Sequence, residues 1–374
     1  MHIALDASRI TAARRTGTEN YALQLIRALL SLPESAVQRF SLYFRQPPSP
    51  DLLPPLPNVE YRILPARRAW THTRFALALW RDQPDVTFVP AHTLPFLMRG
   101  RAVVTVHDLG YRFFPKAHRP IARLYLELTT RYSAWRADRV LADSHATRRD
   151  LIAQYGTAAA KIRVVYPSAE GVQRASAAQI AAVRAAHKLP ERYLLFVGTL
   201  QPRKNITRLA QAFAMYLVRS GDPDLGLVLA GQRGWRFEPE RDLWPHLPKA
   251  ARERVRLLGY VADSDVAALY SGALALVFPS LYEGFGLPVL EAMQCGTPVL
   301  CANTSSLPEV AGNAALLVNP LDVAQIADGI QQIVTDAALR STLIERGRAR
   351  AATFTWRRAA QQTFQALCEA AGCA

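Results

Sequence analysis

The sequence predicts an α/β chain built as two doubly wound parallel-sheet units. Three observations carry that expectation. Strand-length apolar runs alternate with helical stretches, which implies parallel strands joined by crossovers. The alternation pauses once, at Tyr166-Pro167-Ser168, and then restarts. The 374 residues exceed one comfortable core and suit two domains.

The first unit opens with an apolar strand over His2–Asp6 and a polar loop holding Thr16-Gly17-Thr18. A helix follows, with Tyr21, Leu25, Ile26, Leu29 and Leu30 on one face at helical spacing. Further strands are expected at Phe40–Phe44, Tyr61–Leu64, Val86–Val89, Ala102–Val106, Val140–Ala142 and Ile162–Val165. Helices are expected over Thr71–Trp80, Ile121–Trp135 and Ser144–Tyr155, while the proline-rich Gln46–Pro57 reads as a loop. After an alanine-rich helix over Ala175–His187, strands recur at Tyr193–Val197, Leu225–Ala230, Arg254–Leu258, Leu274–Phe278 and Val299–Cys301. Asn205–Arg219, Asp263–Ser271 and Leu287–Gln294 are the clearest helices among them. Ligands of such sheets sit beyond the carboxyl ends of strands, so two units offer a cleft where both sets of ends meet.

Half the residues are hydrophobic and a fifth are charged, the balance of a globular protein rather than a disordered one. No apolar run approaches the ~20 residues that span a bilayer. The start of the chain turns charged at Asp6 and Arg9, unlike a signal peptide. Cys295, Cys301, Cys368 and Cys373 show no metal-ligand spacing and read as free thiols of a cytoplasmic protein. The net charge of +15 is uneven: residues 1–170 carry 24 Lys and Arg against 13 Asp and Glu. Such a half suits an anionic lipid surface, an acidic substrate or nucleic acid, or is simply solvated. Arg67, Arg68 and Arg74 around Trp70, and Arg112, Lys116 and Arg119 near Phe113 and Phe114, have the composition of an interfacial patch. No basic run is interleaved with aromatics, which argues against nucleic acid.

The strongest chemical signal is Glu283-Gly284-Phe285-Gly286-Leu287-Pro288 with Glu291 on the next helix. It lies at a strand–loop–helix junction. Its glycines let backbone approach a ligand, and Pro288 suits a first helical turn. The exposed amides of such a helix start form an anion site. Glu283 and Glu291 cannot bind phosphate but accept hydrogen bonds from sugar and ribose hydroxyls. The second signal, Gly198-Thr199-Leu200-Gln201-Pro202-Arg203-Lys204-Asn205, also follows a strand. Arg203 and Lys204 supply a fork donor and a point charge of the kind a diphosphate needs. Both side chains are expected to face the cleft, so that removing them leaves folding little affected. Asp263-Ser264-Asp265 matches a metal-binding DxD string, but its place before a helix reads as an N-cap with first-turn acids. His92 is a weaker candidate for the acceptor side. No metal site and no resident cofactor are expected.

Gly198–Asn205 with Glu283–Glu291 resembles the signature of family 4 glycosyltransferases, retaining enzymes of the GT-B fold with two Rossmann-like domains facing a central cleft. The likeness extends to Thr16-Gly17-Thr18, His107-Asp108, Ala142-Asp143-Ser144, Leu258-Gly259-Tyr260-Val261 and a final helix from Trp356. It implies an acceptor domain over 1–170, a nucleotide-sugar donor domain over 171–355, and a C-terminal helix, 356–374, crossing back to the first. It also implies that Arg203 and Lys204 hold the donor diphosphate and stabilise its departure. Glu283 then bonds hydroxyls of the transferred sugar, and backbone amides of Gly284, Phe285, Gly286 and Leu287 contact sugar and phosphate. Glu291 bonds the ribose, the backbone near Val261 reads the base, and Gly17 lets the first loop approach the diphosphate. His107 lies against the sugar. Thr199 and Tyr260, in the same segments, complete the donor-binding set.

Resemblance to bacterial mannosyltransferases of surface polysaccharide assembly points to guanosine diphosphate mannose as donor and to a glycan or lipid-linked acceptor. Peripheral association with the inner membrane face would follow from such an acceptor. A phosphorylase or nucleotide-sugar epimerase on the same fold, and a basic membrane- or nucleic-acid-binding protein, are the alternatives.

Overall fold

The computed structural model describes residues 1–12, 17–117, 119–234 and 236–373. The chain divides into two compact units. Unit 1 comprises Met1–Pro115, Arg119–Pro167 and Thr355–Ala374; unit 2 comprises Lys116–His118 and Ser168–Phe354.

Unit 1 holds seven parallel strands: β1 (His2–Asp6), β2 (Arg39–Phe44), β3 (Val59–Ile63), β4 (Val86–Val89), β5 (Arg101–Val106), β6 (Arg139–Ala142) and β7 (Ile162–Val164). Their order is β3-β2-β1-β4-β5-β6-β7, so the strand order reverses between β1 and β4. Alternate side chains serve opposite faces of the sheet. On one face Ile3 and Leu5 pack with Tyr21, Leu25, Ile26 and Leu29 of the helix Gly17–Leu30, and with Trp356, Ala360 and Leu367 of the terminal helix Trp356–Ala371. On the other, Ala4, Val104, Val106 and Val140 pack with Phe75 and with Leu79, Ala134 and Leu151 of the intervening helices. Those helices are Ala76–Asp82, Pro120–Arg136 and His145–Tyr155. Local chemistry sets their ends. The Ser144 hydroxyl accepts from the Thr147 amide at 3.0 Å, and Gly156 stops the same helix at φ +63°.

Two expectations are corrected in this unit. The stretch from Thr71 opens as a π turn, Thr71–Phe75, before becoming α-helical. Trp70 is only 1 % exposed: its ring stacks on Phe75 at 5.0 Å and its indole N–H donates to the Leu64 carbonyl at 2.8 Å. A ring with its polar handle satisfied belongs to the core, so Trp70 is no interfacial residue.

Unit 2 holds six parallel strands: β8 (Arg192–Val197), β9 (Leu225–Ala230), β10 (Val255–Gly259), β11 (Ala275–Phe278), β12 (Val299–Ala302) and β13 (Leu316–Val318). Their order, β10-β9-β8-β11-β12-β13, reverses between β8 and β11. That is the dinucleotide-fold order, in which the crevice beyond the reversal binds ligand. The helix Asp263–Gly272 begins after Ala262, which makes no side-chain cap bond. Asp263 and Asp265 therefore stand inside the first turn, where acids suit the helix dipole, and neither caps it. Among the described residues no helix is long and apolar enough to cross a membrane, and the four cysteines are unpaired.

Candidate active site

The two strands flanking the reversal in unit 2 deliver the charged residues. β8 runs into Gly198, Thr199 and a short 3-10 turn, Pro202–Lys204. Asn205 closes that turn in the left-handed region at φ +62°, a conformation its short amide side chain tolerates. Its Nδ2 donates to the carbonyls of Pro279 and Pro320 at 2.9 and 2.6 Å, which pins the turn against the end of β11. β11 leads to the loop carrying Glu283, Gly284, Phe285 and Gly286, and then to the helix Leu287–Gln294.

The turn and the loop meet at Glu283. Lys204 Nζ lies 2.5 Å from Glu283 Oε1, and Arg203 Nη1 lies 3.0 Å from Oε2 and 2.8 Å from the Tyr282 carbonyl. Burial pushes the Glu283 carboxyl up, but Lys204 and Arg203 outweigh it and hold the group at about 2. The Lys204 ammonium also sits 4.8 Å from the Phe278 ring centroid. Hydroxyls fix the loop: Ser305 accepts from the Glu283 amide at 2.9 Å, and Ser306 donates to the carbonyls of Glu283 and Phe285 at 3.0 and 2.8 Å. The cluster carries one net positive charge, fixed by both strands.

Lys204 corrects the expectation of two open, cleft-facing side chains. Its side chain is 7 % exposed against 19 % for Arg203, because its stem lies inward beside Phe278. It supports the fold as well as the site.

Gly286 is required by its surroundings. It caps the helix Leu287–Gln294 at φ +106°, and a β-carbon there would lie 2.6 Å from Leu307 Cδ2. Pro288 occupies the first turn, as its missing amide hydrogen permits. On the same helix Glu291 accepts from the Tyr270 hydroxyl at 2.8 Å, and burial raises its pKa. Tyr260 and Val261 follow β10, the edge strand two places from β8, so they stand away from the Glu283 cluster.

In unit 1, Gly17 starts the first helix, and among the described residues beyond its chain neighbours and its own helix backbone no atom lies within 4 Å of where its β-carbon would be; Thr16 is outside the described residues. His107 follows β5 and is 7 % exposed. Its Nδ1 pairs with Asp143 Oδ2 at 2.7 Å, beyond the end of β6. Burial lowers the His107 pKa, but the Asp143 carboxylate raises it more, so the net shift is upward. Donation from Nδ1 leaves His107 Nε2 buried and without a hydrogen-bond partner. His92 lies beside it, ring centroids 5.4 Å apart, and its Nε2 accepts from the His107 amide at 3.4 Å. Burial, with His107 adjacent, lowers the His92 pKa to about 3, so this ring is neutral with its proton on Nδ1. The sequence offered no sign that Asp143 orients His107, since 36 residues separate them. A recess of about 420 Å³ opens beyond β1, β2 and β4, lined by Asp6, Arg9, Glu19, Arg45, Gln46 and Thr93 among others.

Residues 180–350 match the family model of glycosyl transferases group 1, and residues 15–169 match that of glycosyltransferase family 4. The chain is 36% identical over 317 residues to O-antigen chain mannosyltransferase B of Escherichia coli, spanning 83% of this chain and 80% of that one. The serotype-specific mannosyltransferase WbdA of Escherichia coli is 34% identical over 229 residues, 59% of this chain but 27% of that much longer one. Among solved structures, Anabaena Alr3699/HepE in complex with UDP-glucose shares the fold with a TM-score of 0.74 at 18% identity, over 98% of this chain and 99% of that one. With two parallel-sheet units of the GT-B type and this similarity along its length, the chain belongs to the family 4 glycosyltransferases.

Proposed function

We propose that this glycosyltransferase moves a mannosyl group from guanosine diphosphate mannose to a glycan or lipid-linked acceptor in surface polysaccharide synthesis, with retention of anomeric configuration. The observation that carries the reading is Glu283 held between Arg203 and Lys204 at the strand reversal of unit 2. A carboxylate kept ionised accepts hydrogen bonds from sugar hydroxyls, while the cations beside it meet the negative charge that grows on the departing diphosphate. The names of the mannosyltransferase relatives support the sugar and the pathway class.

In this reading Gly284 through Leu287 contact sugar and phosphate through backbone, and Glu291 takes the ribose hydroxyls. Thr199, Tyr260 and Val261 complete the nucleotide contacts, and Gly17 belongs to the loop that approaches the diphosphate. His107, oriented by Asp143, presents Nε2 to the sugar. The acceptor hydroxyl attacks the anomeric carbon from the face the diphosphate leaves. Its oxygen forms the new glycosidic bond, the bond to phosphate breaks, and the hydroxyl proton passes to a phosphate oxygen. The polar recess of unit 1, with Asp6, Arg9 and Arg45, suits the hydroxyls of the acceptor.

Thermal-shift measurements with a panel of nucleotide sugars test the donor. Guanosine diphosphate mannose is expected to stabilise the protein most, by about 2.7 kcal/mol at a hundredfold excess over Kd. Stabilisation by uridine diphosphate sugars alone would replace the base and sugar named above; none by any nucleotide sugar would remove the donor site.

Metal is not needed in this reading, because the net positive charge of Arg203, Lys204 and Glu283 together, with the helix start at Leu287, offsets the charge of the diphosphate. Asp263 and Asp265 serve a helix first turn instead. Transfer is therefore expected to persist in excess EDTA. Loss on chelation with recovery on adding manganese would restore Asp263-Ser264-Asp265 as a ligand site.

A further inference from the structure

We infer that unit 1 docks on an anionic lipid surface through one apolar, arginine-rimmed face built by the helices Ala76–Asp82 and Pro120–Arg136 and by Phe96-Leu97. The buried positions of Pro120–Arg136 begin at Thr129, and before them Leu126 is half-buried against the core. Yet Ile121, Leu124, Tyr125 and Leu128 repeat there at helical spacing and are 85%, 58%, 46% and 55% exposed. An apolar stripe at that spacing normally marks a buried helix face. Here it is exposed.

The stripe continues into neighbouring elements. His72 Nε2 lies 3.0 Å from the Tyr125 hydroxyl, and its ring stacks on Phe96 at 4.4 Å. The Tyr132 hydroxyl donates to the Phe96 carbonyl, and Trp135 lies 6.1 Å from the Tyr132 ring. Leu97, 75% exposed, accepts from the Trp80 indole through its carbonyl, and Leu77 stands beside Trp80 on the same helix. Of the seventeen large apolar residues exposed among the described residues, ten lie between Leu77 and Trp135. A contiguous patch of this kind marks an interaction surface.

Its charge selects the occupant. Residues 67–136 carry 12 Lys and Arg against 4 Asp and Glu, so this stretch concentrates the chain's positive charge. The acids on or beside the face are paired, Glu127 with Arg112 and Asp82 with Arg81. Arg74, Arg99, Arg123 and Arg131 are exposed around the stripe, and the Arg99 guanidinium lies 3.7 Å from the Trp80 ring centroid. The cores of protein interfaces are depleted in charge, and a protein partner meets arginines with scattered carboxylates. Leucine, tryptophan and tyrosine set among unpaired arginines match instead the boundary between acyl chains and anionic headgroups. This surface uses neither Glu283 nor His107, and the inference stands whichever sugar is transferred.

Co-sedimentation with phosphatidylglycerol-rich and pure phosphatidylcholine vesicles tests it. The wild type is expected to pellet with the first and not the second, less so at high salt. The double variant Leu124→Glu/Leu128→Glu should bind at least about tenfold more weakly, from lost apolar burial and added repulsion. Arg99→Gln and Arg123→Gln should each lose about fivefold, the worth of one arginine near the surface. All four positions are exposed, so thermal unfolding and transfer to a water-soluble acceptor should stay at wild-type values. Equal pelleting of wild type and double variant, or no pelleting with anionic vesicles at low salt, overturns the inference. Light scattering that shows a wild-type dimer and a monomeric double variant also overturns it, assigning the face to a second copy of the chain.

Discussion

Replacing Lys204 by Ala is expected to lower transfer by about 10²–10³-fold and to cost about 3–5 kcal/mol of stability. The two effects share one cause. Lys204 is buried with Glu283, and removing it leaves a carboxylate desolvated without its nearest cation. Arg203→Ala should cost similar activity with a smaller stability loss, because Lys204 still holds Glu283 and the Arg203 side chain reaches solvent. The pH profile separates this account from a general loosening. A depressed Glu283 pKa contributes stability that is complete above the ordinary glutamate range, near 4.3, and fades as pH falls towards about 2. Without Lys204 the Glu283 pKa rises, so acid unfolding should begin at higher pH. Melting curves across the acid range and turnover on the best donor check both claims. A Lys204→Ala protein that melts and turns over like the wild type would place the donor site elsewhere.

The motifs at strand ends were legible because their punctuation is chemical. Glycine and proline at Gly284, Gly286 and Pro288 state where a strand stops and a helix starts, and Arg203-Lys204 states a charge. What those residues touch was not legible. The depth of Lys204 depends on Phe278, 74 positions on, and the rigidity of Glu283 depends on Ser305 and Ser306 of the next strand's loop. Asp143 and His107 meet only because β5 and β6 are neighbours, and Tyr270 meets Glu291 across two helices. Short elements also escape periodicity. β13 has three residues, and Ala337–Ala351 buries only Leu343, Gly347 and Ala351, too few for a readable stripe. Trp70 shows the converse error: arginines on both sides suggested a surface, while a carbonyl and Phe75 hold the ring inside.

Ending the chain at Phe354 is expected to turn unit 1 into an aggregating protein. The helix Trp356–Ala371 starts at Thr355, whose hydroxyl accepts from the Arg358 amide at 3.1 Å, and it is the last element added to the sheet. It buries Trp356, Ala359, Ala360, Thr363, Ala366, Leu367 and Ala370, most of them packed with Tyr21, Leu25 and their neighbours on the first helix and with strand residues of unit 1. The Trp356 ring meets Tyr21 edge-on at 5.9 Å, and Tyr21 in turn meets His107 at 4.7 Å, so the helix also braces a candidate site residue. Glu369 adds ion pairs to Arg139 of β6 at 2.7 Å and to Arg163 of β7 at 3.0 Å. Full burial of one large apolar side chain is worth ~1.5–3 kcal/mol, and the margin of a whole domain is only ~5–15 kcal/mol. Losing Trp356, Leu367 and the alanines between them therefore removes most of that margin and exposes an apolar groove. The measurement is soluble yield and light scattering of the truncated chain, beside a control ending at Gly372. Full-length Leu367→Glu supplies a second reading that does not depend on expression of a shortened chain: it should lower the melting temperature of unit 1 while leaving binding of nucleotide sugar to unit 2 measurable. A truncated chain that stays monomeric and active would show that the first helix and β1–β7 close their core without it.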